Sequence, residues 1–289
     1  MGFMKIDTIH CGQDSEFRSQ EPEFRIQNPG LFKSSIINRQ SSITIGGLQK
    51  SSLIDYPGKI SCVLFLSGCN FACPYCHNPD LARGCLATSI NENSVYDFLE
   101  SRREFLDGVV ISGGEPTIQK DLIQLCRKTK QMGYPVKIDT NGSRPWVVQT
   151  LIDEGLVDYI AMDIKTDPAS YFPLIQKKCS QKNIIESIRI IMESKIDYEF
   201  RTTCIKPFID ADVIESIAKL ISGAKLYALQ KLKLPLANSQ WPIARDVPTR
   251  NTGVLQPEFF HGNECGCDDE ELMHLKSIAK PWVKRCIIR

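Results

Sequence analysis

The sequence predicts an α/β fold of about six consecutive β-α units, arranged as an open partial barrel or a doubly wound sheet. The first observation is a rhythm between residues 58 and 230, where short β-branched, apolar runs alternate with longer helical stretches. Such alternation is typical of parallel strands joined by crossover helices. The second observation is that unusual polar residues follow these runs, where parallel α/β folds place their active residues. Six units are too few to close an eight-stranded barrel.

The individual elements follow from composition and periodicity. The predicted strands are Ile60–Ser67, Gly108–Ser112, Val136–Thr140, Tyr159–Ile164, Tyr198–Cys204 and Leu226–Leu229. The predicted helices are Ser94–Phe105, Asp121–Met132, Pro145–Glu154, Asn183–Glu193 and Ala211–Ile221. Ser89 or Asn91 is suited to cap the first helix and Asp210 the last, because short polar side chains accept hydrogen bonds from a helix's first turn.

Three segments are expected along the chain. Residues 1–43 are polar and aperiodic, which predicts a loosely ordered N-terminal extension. Residues 44–230 carry the rhythm and form the predicted core domain. Residues 231–289 form a C-terminal extension, with a long irregular loop over 235–265, a helix at Asp268–Lys280 and a final strand or tail at Val283–Arg289.

Composition excludes several classes of partner. The 35 basic and 34 acidic residues give a formal net charge of +1, so neither nucleic acid nor a membrane surface is an expected partner. No apolar run follows Met1–Lys5, and the longest, Cys62–Leu66, is too short to cross a bilayer. We therefore expect a cytoplasmic protein. Its 12 cysteines then suggest metal binding or chemistry rather than disulfides.

Three of these cysteines form a motif. Cys69, Cys73 and Cys76 follow the first predicted strand with the spacing C-x3-C-x2-C. Thiolates hold iron–sulfur clusters, and a cubane normally takes four. Three thiolates on one loop would leave one iron without a protein ligand, and an open position allows a metal to bind a substrate. The alternative is a zinc ion held by the three thiolates and His77, in an interaction module without catalysis.

Other polar groups close the following strands. They are Gly113, Gly114 and Glu115 after the second strand, Asp139, Thr140 and Asn141 at the end of the third, Asp163 and Lys165 at the end of the fourth, and Arg201 in the fifth. Parallel strands bring these ends to one rim. Glycines allow a backbone to approach a ligand closely, and Glu115 offers a charged partner for an ammonium group.

The motifs together resemble a known family. The cysteine motif with Tyr75 before its last cysteine resembles the signature of radical S-adenosylmethionine (SAM) enzymes. The flanking runs Gly47–Lys50, Leu53–Lys59 and Cys76–Pro79 resemble activating proteins of anaerobic ribonucleoside-triphosphate reductases, relatives of the pyruvate formate-lyase activases. The resemblance covers residues 44–230 and implies a partial (β/α)6 TIM-like barrel. It also implies a [4Fe–4S] cluster on Cys69, Cys73 and Cys76, with SAM on the open iron.

The resemblance further implies roles for the rim residues. Gly113, Gly114 and Glu115 would line the methionyl amine of SAM, and Tyr75 would contact its adenine region. Asp139, Thr140, Asn141, Asp163 and Lys165 would contact SAM. The two aspartates and Thr140, with the Ala161 carbonyl, would also form a monovalent cation site. Arg201 would face the methionyl carboxylate.

The activity implied is glycyl-radical generation. A one-electron donor such as flavodoxin would reduce the cluster, and SAM would be cleaved to a 5′-deoxyadenosyl radical. That radical would take hydrogen from a glycine of a partner such as anaerobic ribonucleoside-triphosphate reductase. The same motifs would also serve a radical SAM enzyme that acts on a small molecule or another protein. Cys265 and Cys267 form a C-x-C pair that is either incidental, a redox pair or part of a second metal site.

Overall fold

A computed structural model describes residues 43–85, 89–171, 175, 179–232, 247–249, 253–255 and 265–289. Apart from Ile43, the predicted N-terminal extension lies outside these residues, as does most of the predicted loop 235–265. In the part that is described, no helix is both long enough and apolar enough to cross a membrane.

The centre of the fold is an open sheet of eight strands. In spatial order they are β1 (Ile45–Ser52), β2 (Ser61–Leu66), β3 (Gly108–Gly113), β4 (Val136–Thr140), β5 (Tyr159–Asp163), β6 (Asp197–Cys204), β7 (Tyr227–Lys231) and β10 (Cys286–Ile288). All neighbours pair in parallel except β1, which is antiparallel to β2. Because β1 and β10 are the two edges, the sheet does not close. The predicted α/β class with a partial barrel is confirmed.

A short antiparallel pair stands apart from this sheet. It consists of β8 (Val247–Thr249) and β9 (Gly253–Leu255), within the range predicted to be an irregular loop.

The helices follow the predicted alternation. They are α1 (Pro79–Arg83), α2 (Glu92–Ser101), α3 (Leu122–Gln131), α4 (Pro145–Asp153), α5 (Gln181–Glu193), α6 (Ala211–Leu220) and α7 (Asp269–Ala279). The expected caps are present: the Asn91 side chain accepts a hydrogen bond from the Asn93 N–H, and Asp210 accepts one from the Val213 N–H. These bonds satisfy donors that a helix leaves free at its first turn.

Besides β8 and β9, α1 and β1 were not predicted. The β1 sequence contains adjacent glycines and several polar residues, which have low strand propensity. Antiparallel pairing with β2 holds β1 in the sheet despite this low propensity. The register of the pair shifts at two points.

The two faces of the sheet have different roles. The outer face packs against the helices in a large apolar core that includes Leu64, Ile111 and Ile138. The inner face carries the alternate residues, and its apolar cluster lies toward the amino ends of the strands, around Val63 and Val110. Toward the carboxyl ends the inner face becomes polar, and this change positions the site.

The C-terminal strand belongs to the main sheet. The Arg289 N–H donates to the Leu229 carbonyl at 2.9 Å, and the Lys231 N–H donates to the Arg289 carbonyl at 2.8 Å. The Arg289 guanidinium pairs with the Glu199 carboxylate through two contacts of 2.8 and 2.7 Å. Glu199 on β6 is only 1% exposed. Arg289 therefore supplies the positive charge that a buried carboxylate needs as a partner.

We expect Arg289→Met to lower the free energy of unfolding by about 1–2 kcal/mol, because Glu199 would stay buried without its partner. Urea denaturation followed by circular dichroism measures this. The control is Lys231→Met, which removes an exposed pair with Asp269 and should change stability little. An equal loss in both variants would contradict the role given to the buried pair.

Candidate active site at the carboxyl ends of the strands

Every residue predicted for the site lines one cavity of about 260 Å³ at the carboxyl ends of the parallel strands. These residues are Cys69, Cys73, Tyr75, Cys76, Gly113, Gly114, Glu115, Asp139, Thr140, Asn141, Asp163, Lys165 and Arg201. The same cavity also contains His77, Ser112, Thr203, Gln230 and Leu232. The structure therefore brings the predicted set together, and the register of the parallel sheet is the reason.

The cysteine loop begins where β2 ends. The Phe71 N–H donates to the Cys69 sulfur at 3.3 Å, and the Cys76 N–H donates to the Cys73 carbonyl at 3.1 Å. Burial, with Glu115 nearby, raises the pKa of the Cys69 thiol to about 11, and burial raises that of Cys73 to about 12. Metal binding by these thiols therefore requires the release of protons.

The three thiols lie close to one another on one loop. The charges of Cys69 and Cys76 both raise the pKa of the Cys73 thiol. Among the described residues, no group of three or more His, Cys, Asp or Glu side chains is arranged to hold one metal ion. A zinc ion needs four donors within about 2.0–2.3 Å, whereas each thiolate of a cubane binds a different iron.

Tyr75 provides an observation on whether the cavity suits a bound ligand. Its side chain is 5% exposed, and its hydroxyl has no hydrogen-bond partner among the residues that the structure describes. Buried polar atoms without partners are uncommon and mark places where a ligand is suited to bind.

The two glycines after β3 serve a close backbone contact. The Gly114 N–H donates to the Leu66 carbonyl at 2.8 Å, and the Glu115 N–H donates to the Gly68 carbonyl at 2.9 Å. Gly113 has a φ of +120°, and a Cβ on Gly114 would lie 2.0 Å from the Gly68 oxygen. The approach that requires glycine is thus to the start of the cysteine loop, whereas the sequence suggested an approach to a ligand.

The Glu115 carboxylate accepts hydrogen bonds from neighbouring groups of the protein. Its Oε1 accepts hydrogen bonds from the Thr117 N–H (3.0 Å), the Thr117 hydroxyl (2.5 Å) and the Thr140 hydroxyl (2.8 Å). Its Oε2 accepts from the Asn141 N–H at 2.6 Å. Burial raises the pKa of Glu115, although these donors oppose the shift. The carboxylate therefore joins the β3 and β4 ends, and only Oε2 retains acceptor capacity for the expected ammonium group.

A cluster of opposite charges occupies the ends of β4, β5 and β6. The Arg201 Nε lies 2.7 Å from Asp163 Oδ1, and its terminal nitrogen lies 3.4 Å from Asp139 Oδ1. The Lys165 ammonium lies 2.9 Å from Asp163 Oδ2. The Lys137 ammonium lies 2.5 Å from Asp139 Oδ1. Two carboxylates are thus held among three cations.

These contacts decide the ionisation of the cluster. Burial opposes the charge of Asp163, but Arg201 and Lys165 hold its pKa well below the ordinary value. In the same way, burial opposes ionisation of Asp139, but Arg201 and Lys137 lower its pKa. Asp139 and Asp163 raise the pKa of Arg201 against the effect of burial. Both aspartates are therefore anionic at neutral pH.

The predicted monovalent cation site does not fit this arrangement. Ser112 donates to Asp139 Oδ2 at 2.9 Å, so all four carboxylate oxygens of the two aspartates have a donor or cation beside them. Thr140 is also engaged, because it donates to Glu115 and accepts from the Gly142 N–H at 3.1 Å. Each oxygen expected to bind a cation therefore already has at least one donor or cation beside it.

Several site residues escaped the sequence analysis. Asn70, inside the cysteine motif, donates to the Ser143 hydroxyl at 2.8 Å and accepts from the Asn141 amide at 3.0 Å. Gln119 donates to the Ser67 carbonyl at 2.5 Å. These bonds fix the cysteine loop to its neighbours.

Lys137 was also not identified from the sequence. A lysine between Val136 and Ile138 in a central strand is unusual, and this could have drawn attention to it.

Cys265 and Cys267 do not join this cavity. Both are buried, and Gly266 between them forms an antiparallel bridge with Ile205 at the end of β6. Neither takes part in a three-ligand metal group in the described part of the chain. Both side chains belong to the large apolar core.

The chain matches the family model of the radical SAM superfamily over residues 63–220, more than half of its length. This chain belongs to the radical SAM superfamily. The match begins in β2, ends with α6 and includes every residue predicted for the site. Radical SAM enzymes use a [4Fe–4S] cluster and SAM, which are the predicted cofactors. The chain is therefore a radical SAM enzyme, and its cavity offers the thiols and charged groups that these cofactors require.

Individual relatives agree with this family. A protein of Methanocaldococcus jannaschii, provisionally named a glycyl-radical enzyme activating enzyme, is 36% identical over 85% of this chain and 95% of its own length. The pyruvate formate-lyase-activating enzyme of Listeria monocytogenes is 32% identical over 46% of this chain and 58% of its own. Streptococcus suis SuiB bound to S-adenosylmethionine shares the fold, with a TM-score of 0.55 at 14% identity, over 78% of this chain and 51% of its own.

We predict that Gly114→Ala loses most of its iron after anaerobic reconstitution, because the added Cβ would displace Gly68 and with it the cysteine loop. Iron and sulfide content per chain measures the effect, with circular dichroism to check folding. In the control, Gly47→Ala, the added Cβ would make only an ordinary contact with Phe65 at 3.5 Å. Full iron content in the Gly114 variant would show that the close contact is unnecessary.

Proposed function

We propose that this radical SAM enzyme is a glycyl-radical enzyme activase whose partner is anaerobic ribonucleoside-triphosphate reductase. The proposal places it in the cytoplasm and names flavodoxin as the class of electron donor. The observation that carries it is the single cavity in which the three-cysteine loop meets the charged ends of β4–β6. The likeness to the M. jannaschii relative over nearly its whole length favours activation of a glycyl-radical enzyme. The runs Gly47–Lys50 and Leu53–Lys59 favour the reductase as the partner.

Cys69, Cys73 and Cys76 would hold the cluster and leave one iron open. The bound cluster and SAM would supply the chemistry, one-electron reductive cleavage of SAM to methionine and a 5′-deoxyadenosyl radical. Arg201 and Lys165 are the cations suited to a methionyl carboxylate, because both lie at the cavity wall. Tyr75 also lines the cavity.

The protein's contribution is to position the cofactors and to exclude water. Glu115 follows β3, and its hydrogen bonds to Thr140 and Asn141 fix the end of β3 relative to the end of β4. No general base is required for hydrogen transfer between carbon atoms, and none is proposed.

The remaining wall of the cavity suits an uncharged substrate segment. Thr203 of β6, Gln230 of β7 and Leu232 line it and carry no formal charge. A glycine-containing backbone segment could enter there, and Gln230 could hydrogen-bond its peptide groups. This wall is the proposed place for the partner's glycine.

We expect Cys73→Ala to abolish reductive SAM cleavage, because the cluster would lose one of its three thiolates. The reconstituted protein is reduced with dithionite under anaerobic conditions, and 5′-deoxyadenosine is measured by chromatography. Cys126→Ala, a buried cysteine of α3 outside the cavity, is the matched control and should retain cleavage. Full product from the Cys73 variant would remove the basis of the cluster assignment.

The partner is tested by electron paramagnetic resonance. The reduced enzyme and SAM are mixed with purified anaerobic ribonucleoside-triphosphate reductase, and a glycyl-radical signal is expected on the reductase. Replacing the reductase's radical glycine by alanine is the control and should abolish the signal. SAM cleavage without a radical on the reductase would contradict this partner and favour a small molecule or another protein as the substrate.

A further inference from the structure

We propose that the Lys137 ammonium is a built-in cation beside the SAM site, so that SAM binding needs no K⁺ or Na⁺. The inference rests on the proposed SAM site but does not depend on the identity of the protein partner. It concerns the position beside Asp139 where the resemblance implied a free monovalent cation.

Lys137 is placed for this role by strand geometry. It lies on β4 two residues before Asp139, so both side chains point to the inner face of the sheet. The Lys137 side chain is 2% exposed. A lysine is rarely so deeply buried unless it is paired, because removal of an ammonium from water is costly. The pair with Asp139 meets that requirement.

The apolar neighbours of Lys137 fix its direction. Its ammonium lies 6.0 Å from the centre of the Tyr159 ring, which belongs to the inner apolar cluster together with Val110. Its contact toward the cavity is Asp139.

The charges at the site leave no role for an added cation. Asp139 and Asp163 supply two negative charges, and Lys137, Lys165 and Arg201 supply three positive charges. A bound K⁺ or Na⁺ would add a fourth positive charge where each carboxylate oxygen already has a donor or cation beside it.

Glu115 is a third carboxyl group at the site. Its oxygens accept hydrogen bonds from Thr117, Thr140 and Asn141, on the side of the cavity that joins β3 to β4. The Thr140 hydroxyl, which was expected to bind the cation, donates its hydrogen bond to Glu115. Lys165 and Arg201 are the cations at the cavity wall that suit the carboxylate of SAM.

The first experiment uses the full-length, reconstituted wild-type protein. SAM affinity is measured by isothermal titration calorimetry at constant ionic strength in KCl, NaCl and choline chloride. We expect affinities that agree within about twofold, because the protein carries its own cation. Binding that is more than about tenfold tighter in K⁺ or Na⁺ than in choline would overturn the proposal. SAM binding in any of the salts supports the site itself, so the two proposals fail separately.

The second experiment removes the ammonium and opens space beside Asp139. Lys137→Ala should bind SAM about tenfold more weakly in choline chloride, and K⁺ should restore the affinity. The thermal midpoint of its apoprotein should also rise with K⁺ concentration, whereas that of the wild-type apoprotein should not. A purely structural role would weaken the variant equally in every salt, and that result would contradict the proposal.

The matched control is Lys130→Ala. Lys130 also forms a lysine–aspartate pair, with Asp158 at 2.7 Å, but Asp158 precedes β5 at the end of the sheet opposite the cavity. This variant should show no cation dependence of SAM affinity. If Lys137→Ala does not fold, the salt series on the wild-type protein decides alone.

Discussion

The site of this radical SAM enzyme depends on one electrostatic constraint, the close packing of five buried or partly buried charged side chains on three adjacent strands. Asp139 and Asp163 can remain ionised there only because Lys137, Lys165 and Arg201 are held against them. The parallel register of β4, β5 and β6 supplies that geometry, since it places Asp163 beside Arg201 and carries Lys137 and Asp139 on the same face. The charged groups of the cavity wall are therefore held in fixed positions before a ligand binds.

A second set of contacts ties the cysteine loop to the charged rim. Gly114 and Glu115 bond to the backbone at Leu66 and Gly68, so β3 holds the start of the loop. Glu115 then bonds to Asn141 at the end of β4, and Asn141 bonds to Asn70 inside the cysteine motif. This connected path means that the groups suited to hold a cluster and those suited to hold SAM cannot move independently. Reductive cleavage requires such fixed alignment between cluster and substrate.

Much of this could be predicted from the sequence, for identifiable physical reasons. The strands from β2 to β7 have apolar runs that periodicity detects, whereas β1 depends on pairing with β2 and was missed. The site residues could be found because catalytic groups of parallel folds follow strand ends. Their contacts could not be found in this way. The use of Glu115 inside the protein and the burial of Lys137 arise from the spatial register of neighbouring strands, which no single segment encodes.

The central claim is that three cysteines hold a [4Fe–4S] cluster whose fourth iron binds SAM. Electron paramagnetic resonance of the anaerobically reconstituted, dithionite-reduced protein, recorded with and without SAM, tests it most directly. The account predicts the signal of a reduced [4Fe–4S] cluster that changes shape when SAM is added, because the ligand binds the open iron. A reduced-cluster signal that SAM leaves unchanged, or a colourless zinc protein without any signal, would contradict it.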